Sequence, residues 1–472
     1  MLTRRKAMSL KTKRNHAGRL SLCVVRATAN VQIFGLVVVC LLCAGGNFAF
    51  GQCAFQDAMG HPYSIPFGPF TPQYSGPPTL RNPVTSGVGA DGSKLPLKIV
   101  TFGDSAMWGN GDKPEHKIAY LVGQSVANET QRTVLVDAFA HSAARLKRVD
   151  PDKGQLLPLD PVTNQPLSDL DAERPTTVEQ ADCAAVNDSD AEIVLLDGCI
   201  NEVGATNIAL PIFPFLNNTS PAQIQERVYA DCGEPMKVAL NHVKKSFPHA
   251  TIVVLNYWLV VSSKSSPVGV KNAVKQQMKL EKTEGGRELT PESVESRKQK
   301  WWDNSERFLN TSQACFIWAI ACANGSIQGA LCELPEATDD PTHPQECPSA
   351  PAAPTGSARV FLATVPGDDR PEYAYGGKEK HIWSVPFHFL FWSREDEMYG
   401  PRVKLCKQFA LPGDTDCKVN PTAHPNVKGA SFYAFGSLNP PVPGGPKPTS
   451  SSIMGILESA WSLEQTPVVQ QH

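Results

Sequence analysis

A serine held in a tight turn at the end of an apolar strand is a candidate nucleophile, and Ser105 occupies such a place. The run Lys98-Ile99-Val100-Thr101-Phe102 is apolar and β-prone, and it stops abruptly at Gly103-Asp104-Ser105. A helix-forming stretch follows from about Pro114. The chemistry open to such a serine is acyl transfer, provided a neighbouring base removes the hydroxyl proton. Three further segments follow in chain order. Val136-Asp137-Ala138-Phe139-Ala140 runs into His141-Ser142-Ala143-Ala144, and Ile193-Val194-Leu195-Leu196-Asp197 into Gly198-Cys199-Ile200-Asn201-Glu202. Near the other end, His424-Pro425-Asn426 leads into the helix-forming Val427-Lys428-Gly429-Ala430.

These four segments, in this order between residues 97 and 436, resemble the motifs of the SGNH (GDSL-type) hydrolases, a superfamily of esterases and lipases. The resemblance implies Ser105 as nucleophile and His424 as general base. It implies an oxyanion hole of the Ser105 backbone N–H, a backbone N–H at Ala143 and the side-chain amide of Asn201. The chain also departs from the pattern. The acid expected three residues before the histidine falls on Pro421, alanine stands at 143 where glycine is usual, and Glu202 replaces an aspartate. Three sources of the third group stay open: Asp416 or Asp414 folding back, a backbone carbonyl orienting the imidazole in a Ser–His dyad, or a rival pair. That rival is Asp340 and His343, in Asp340-Pro341-Thr342-His343-Pro344. Met107 and Trp108 either line the substrate pocket or pack the first turn.

The resemblance implies a hydrolase acting on carboxylic esters without metal or organic cofactor, on a small-molecule, lipid or carbohydrate ester. Sugar O-acetyl esterase, phospholipase and thioesterase activities belong to the same fold. The departures at Pro421 and Ala143 motivate an alternative of another class, a secreted binding protein on a catalytically decayed hydrolase fold.

The elements that must position these groups alternate. Strands are expected at 97–102, 132–137, 191–196, 250–256 and 358–364, and helices at 115–127, 221–247, 291–323 and 427–435. Unbroken apolar strands separated by helices predict a parallel sheet covered on both faces. The fold expected is an α/β three-layer sandwich with a flavodoxin-like, mostly five-stranded parallel sheet. The hydrolase domain spans 96–436, interrupted by loop insertions at 148–185, 262–300 and 333–357. An irregular Pro/Gly-rich arm (52–95) precedes it, and a Pro/Gly/Ser-rich, poorly packed tail (437–472) follows.

Residues 1–51 carry eight Lys/Arg and no Asp/Glu, then an apolar run from Val31 to Ala44 and small residues at Ala49 and Gly51. That is the pattern of a secretory signal cleaved before Gln52, or of an uncleaved anchor. Without this +8 leader the net charge falls from −2 to −10, which argues against a nucleic-acid partner. No stable membrane span is expected after cleavage. Ten of the thirteen cysteines lie beyond the leader, an even number that suggests disulfides in an exported chain. Cys406–Cys417 is the best single guess. Cys315 and Cys322 share one helix, too far apart to bridge each other.

Overall fold

The computed structural model describes residues 52–56, 62–66, 81–86, 95–109, 111–140, 144–147, 176–205, 208, 219–265, 291–335, 345–350, 359–364, 370–374, 379, 381–382, 424–437 and 447–465. Two short strands, β1 (Gln52–Gln56) and β2 (Pro62–Pro66), pair antiparallel as a separate ribbon. The main sheet has six strands: β3 (Arg81–Ser86), β4 (Leu97–Phe102), β5 (Thr133–Ala138), β6 (Ile193–Leu196), β7 (Thr251–Leu255) and β8 (Val360–Ala363). Their order is β3-β5-β4-β6-β7-β8. The last five are parallel, and β3 adds antiparallel to the β5 edge.

The reason is visible in the strands themselves. All four residues of β6 and all but Lys98 of β4 are buried, as a strand covered on both faces requires. Each such Val, Ile, Leu or Phe contributes about 1.5–3 kcal/mol by leaving water.

The helices are α1 (Ser105–Trp108), α2 (Ile118–Thr130), α3 (Thr177–Asp188), α4 (Ile200–Val203), α5 (Pro221–Val228), α6 (Glu234–Ser246), α7 (Pro291–Ala323), α8 (Val427–Phe435) and α9 (Ile453–Gln465). A π-helical turn, Tyr229–Gly233, joins α5 to α6. One group (α2, α8, α9) and another (α3, α5, α6, α7) flank the sheet. Caps fix two starts: Thr176 with Glu179 before α3, and Ser220 with Gln223 before α5, are reciprocal capping boxes.

Three expectations need correction. Arg81–Ser86 is a sheet strand inside the stretch expected to be an irregular arm. Its Pro83 is tolerated because β3 is an edge strand. The insertion expected through residue 185 already holds most of α3. The tail expected to be poorly packed holds α9, whose Ile453, Met454 and Leu457 are fully buried. No described helix is long and apolar enough to cross a membrane.

Candidate active site

β4 lies between β5 and β6, with Thr101 in register with both Ala138 and Leu195. The segments after these three strands therefore leave the sheet at one carboxyl edge. The chain pairs β5 on one side of β4 and β6 on the other, so this edge is a switch point of the sheet, where α/β folds open a crevice.

Gly103 makes the first turn with φ +131, a conformation that L side chains rarely adopt. A Cβ there would also sit 1.7 Å from Asp197 Oδ1. Gln180 of α3 clamps the same residue on both sides: its Oε1 accepts from Gly103 N at 2.7 Å and its Nε2 donates to Gly103 O at 3.1 Å. Asp104 caps α1, accepting from Ala106 N at 2.8 Å. Asp197, after β6, accepts from Asp104 N at 2.7 Å and from Met107 N at 2.8 Å. The serine turn is thus held on three sides, and Ser105 is 8% exposed.

Two buried carboxyl groups this close do not ionise independently. Burial pushes both Asp104 and Asp197 upward, and the neighbouring Asp104 charge pushes Asp197 well above the carboxylate range. Tyr257, just beyond β7, donates its hydroxyl to Asp104 Oδ2 at 2.6 Å and accepts from Ile200 N at 3.2 Å. That hydroxyl links the serine turn to the turn carrying Asn201.

His424 arrives from the opposite end of the chain. Its Nε2 lies 2.6 Å from Ser105 Oγ, across 319 positions of sequence. Pro425 forms an antiparallel bridge with Ile382, and Asn426 N donates to His381 O at 2.9 Å. Asn426 then caps α8, accepting from Lys428 N and Gly429 N. The His381 ring stacks on Tyr373 at 3.9 Å and lies 4.2 Å from Phe432. Burial, and then Lys428, lower His381 to about 4. At neutral pH this imidazole is uncharged and packs against Tyr373 and Phe432.

Asn201 sits in the first turn of α4 and donates Nδ2 to Ala144 O at 2.8 Å. An amide nitrogen carries two hydrogens, so one donor is committed to holding the neighbouring loop and the other has no partner among the described residues. Glu202 accepts from Leu146 N, and burial raises it to about 7. Met107 is 2% exposed in the core. Trp108 is half-buried, with Lys117 Nζ 4.9 Å from its ring centroid. Ala143, Asp340, His343, Asp414, Asp416, Cys406 and Cys417 lie outside the described residues.

No family model matches the chain, and no curated protein does. Among solved structures it is similar to phospholipase A1 from Streptomyces albidoflavus, at 12% identity over 72% of this chain and 96% of that one, with a TM-score of 0.32. It is also similar to an extracellular lipase from Streptomyces rimosus, at 11% identity over 77% and 99%, TM-score 0.36. A family two carbohydrate esterase from Clostridium thermocellum follows at 9% identity over 61% and 59%, TM-score 0.26. At such scores a likeness carries no argument about activity, which has to come from the residues.

The structure brings Ser105 and His424 into contact and sets Asn201 on the same sheet edge. Sequence reasoning missed Gln180, Asp197 and Tyr257. Asp197 and Tyr257 did leave a trace: a carboxylate and a phenol directly beyond buried strands, where a polar group needs a partner. Gln180 left none, because its role depends on α3 docking beside β4.

Cys199–Cys232, Cys315–Cys347 and Cys322–Cys332 are disulfides, and Cys183 is disulfide-bonded as well. Cys315 and Cys322, both on α7, each bridge elsewhere, as their separation on one helix requires.

Proposed function

We propose that this protein is an exported serine hydrolase that cleaves carboxylic esters through an acyl-enzyme. The observation that carries this reading is the 2.6 Å contact between His424 Nε2 and Ser105 Oγ. In the proposed cycle His424 takes the Ser105 proton as Oγ attacks the ester carbonyl. The oxygen that gains charge is met by the Ser105 backbone N–H, the second amide hydrogen of Asn201 and a backbone N–H at Ala143. His424 then returns the proton to the departing alcohol, and a water, activated by the same imidazole, releases the acid. Every step uses groups of this chain.

A Ser–His pair at hydrogen-bond distance also weighs against the decayed binding-protein alternative, since nothing in mere binding needs that pairing. Lipid and carbohydrate esters are the proposed substrate classes. Buried disulfides support an exported location, since such bonds persist in oxidising compartments.

A fluorophosphonate probe tests the reading directly, because only an activated serine reacts. Labelling of the wild type that vanishes in Ser105→Ala and in His424→Ala is the expected result. An unlabelled wild type, or undiminished labelling of Ser105→Ala, would overturn it. A panel of p-nitrophenyl esters from acetate to palmitate, beside acetylated xylan and phosphatidylcholine, then sorts the substrate class.

A further inference from the structure

Cys199 has φ +129 and ψ −40, directly before α4. The only other non-glycine residue with positive φ among those described is Gln131, at φ 55 behind α2, where a left-handed cap is ordinary. Cys199 lies well outside that left-handed basin, in territory that a side chain normally forbids and glycine tolerates. It follows Gly198, itself at φ +148, and stands two residues before Asn201. Such a conformation persists only where the surroundings impose it.

One constraint on this residue is covalent. Cys199 is bonded to Cys232, and both residues are completely buried. Cys232 lies in the π-helical turn Tyr229–Gly233, within the helical stretch from Pro221 to Ser246. A π turn adds a residue to the helix and so re-aims the side chains within it, and such turns recur at functional sites. Here the anchor is a long helix packed on α7, and the tethered object is the four-residue turn that delivers Asn201.

We propose that the Cys199–Cys232 bond is a positioning device. It holds residue 199 in a glycine-only conformation, and so keeps the Asn201 amide aimed at the developing oxyanion. This rests on the assignment of Asn201 in the preceding section. The cysteines touch no substrate and act only through the turn. A glycine at 199 would reach the same φ without a tether. The cysteine reaches it with one, and gains an anchor to α5–α6.

The swap between those two solutions is the test. Ser105 labelling by a fluorophosphonate, and kcat and KM on the p-nitrophenyl ester that the wild type turns over fastest, are measured for five chains. These are wild type, Asn201→Ala, Cys199→Ala/Cys232→Ala, Cys199→Gly/Cys232→Ala, and the triple variant carrying Asn201→Ala with both alanines. Near-ultraviolet circular dichroism monitors folding. The alanine pair is expected to lose roughly 10²-fold in kcat with KM little changed, the scale of a misplaced oxyanion donor. The glycine pair should recover most of that loss, although it lacks the bond as well. The triple variant should be no slower than Asn201→Ala, because the bond has nothing left to position.

An alanine pair that folds and keeps wild-type kcat would overturn the proposal. So would a folded glycine pair as slow as the alanine pair, or two pairs that both fail to fold, since the bond would then serve the fold at large. An alanine pair that alone fails to fold, beside an active glycine pair, supports it. If Asn201→Ala itself is harmless, the oxyanion assignment falls first. If Asn201→Ala is slow and the alanine pair is fast, only the positioning role falls.

Discussion

If the hydroxyl and imidazole 2.6 Å apart act as the proposed catalytic unit, replacing either should cost about as much as replacing both. Ser105→Ala and His424→Ala are each expected to reduce ester turnover on the order of 10³-fold or more. His343→Ala should leave turnover nearly unchanged, because the proposed base, His424, already meets Ser105. Asp416→Asn separates the two ways of orienting the imidazole. A triad loses ~10⁴ in kcat on such a change, whereas a carbonyl-oriented dyad is nearly indifferent, and the dyad outcome is expected here. Steady-state kinetics on one chromogenic ester checks all four variants. Glu202 makes a different prediction. Its folded pKa of about 7 exceeds the ordinary glutamate value of 4.5 because burial disfavours the anion. The folded state therefore holds the proton more tightly. The stability this contributes is complete below the unfolded pKa and is lost as pH rises through about 7. Glu202→Gln keeps an oxygen for Leu146 N and removes the titration, so its melting temperature should fall less across that window. Equal slopes for variant and wild type would refute the assignment.

At the scale of elements, the proposed base is only as well placed as the segment that carries it. His424 is followed at once by the Ile382–Pro425 bridge and the Asn426 cap, and α8 is tied to the end of β7 by Tyr433 Oη donating to Asn256 O at 2.6 Å. Gly429 lets the first turn of α8 rest on the His381 carbonyl. A Cβ there would come within 2.1 Å of that oxygen, which is backbone and has little room to retreat. Gly429→Ala should push α8 off its seat and carry His424 with it. The expected result is a loss of about 1–3 kcal/mol in stability from overpacking. With it should come a fall in kcat of roughly 10²-fold, because a shift near 1 Å is enough. Chemical denaturation and initial rates measure the two separately. A variant of unchanged kcat would show that the base is held by something other than α8.

For the whole molecule, the closing segment matters more than its composition suggests. Thr364 N, just beyond β8, donates to Ser451 O at 3.0 Å, and α9 then packs against α2 and α8. Ile453, Met454 and Leu457 are fully buried and Ile456 is 7% exposed. At about 1.5–3 kcal/mol for each buried side chain, their loss approaches the total stability of an ordinary domain. Deleting residues 451–472 should therefore yield a chain that unfolds well below the wild-type temperature or aggregates. Thermal denaturation of the two chains decides this, and equal midpoints would mean that α9 is dispensable.

Much of this was legible in one dimension. Apolar runs marked the five parallel strands, because a strand buried on both faces tolerates little else. The spans 291–323 and 427–435 match α7 and α8 residue for residue. Ser105 stood out as a serine in a tight turn at a strand end, and Asn201 and His424 through the resemblance of their segments to the SGNH motifs. What the sequence could not settle were relations between distant segments. Arg81–Ser86 is too polar to announce a strand and becomes one only because β5 leaves an edge unpaired. Cysteine spacing does not encode pairing, and Cys199 meets Cys232 only once α5–α6 lies beside the β6 turn. Asp197 and Gln180 looked like a strand-end acid and a helix amide, and folding put both on the peptides around Ser105. Local pattern specified the elements, because burial and turn chemistry act within a few residues. Their docking alone made three strand ends and a histidine from the other end of the chain into one site.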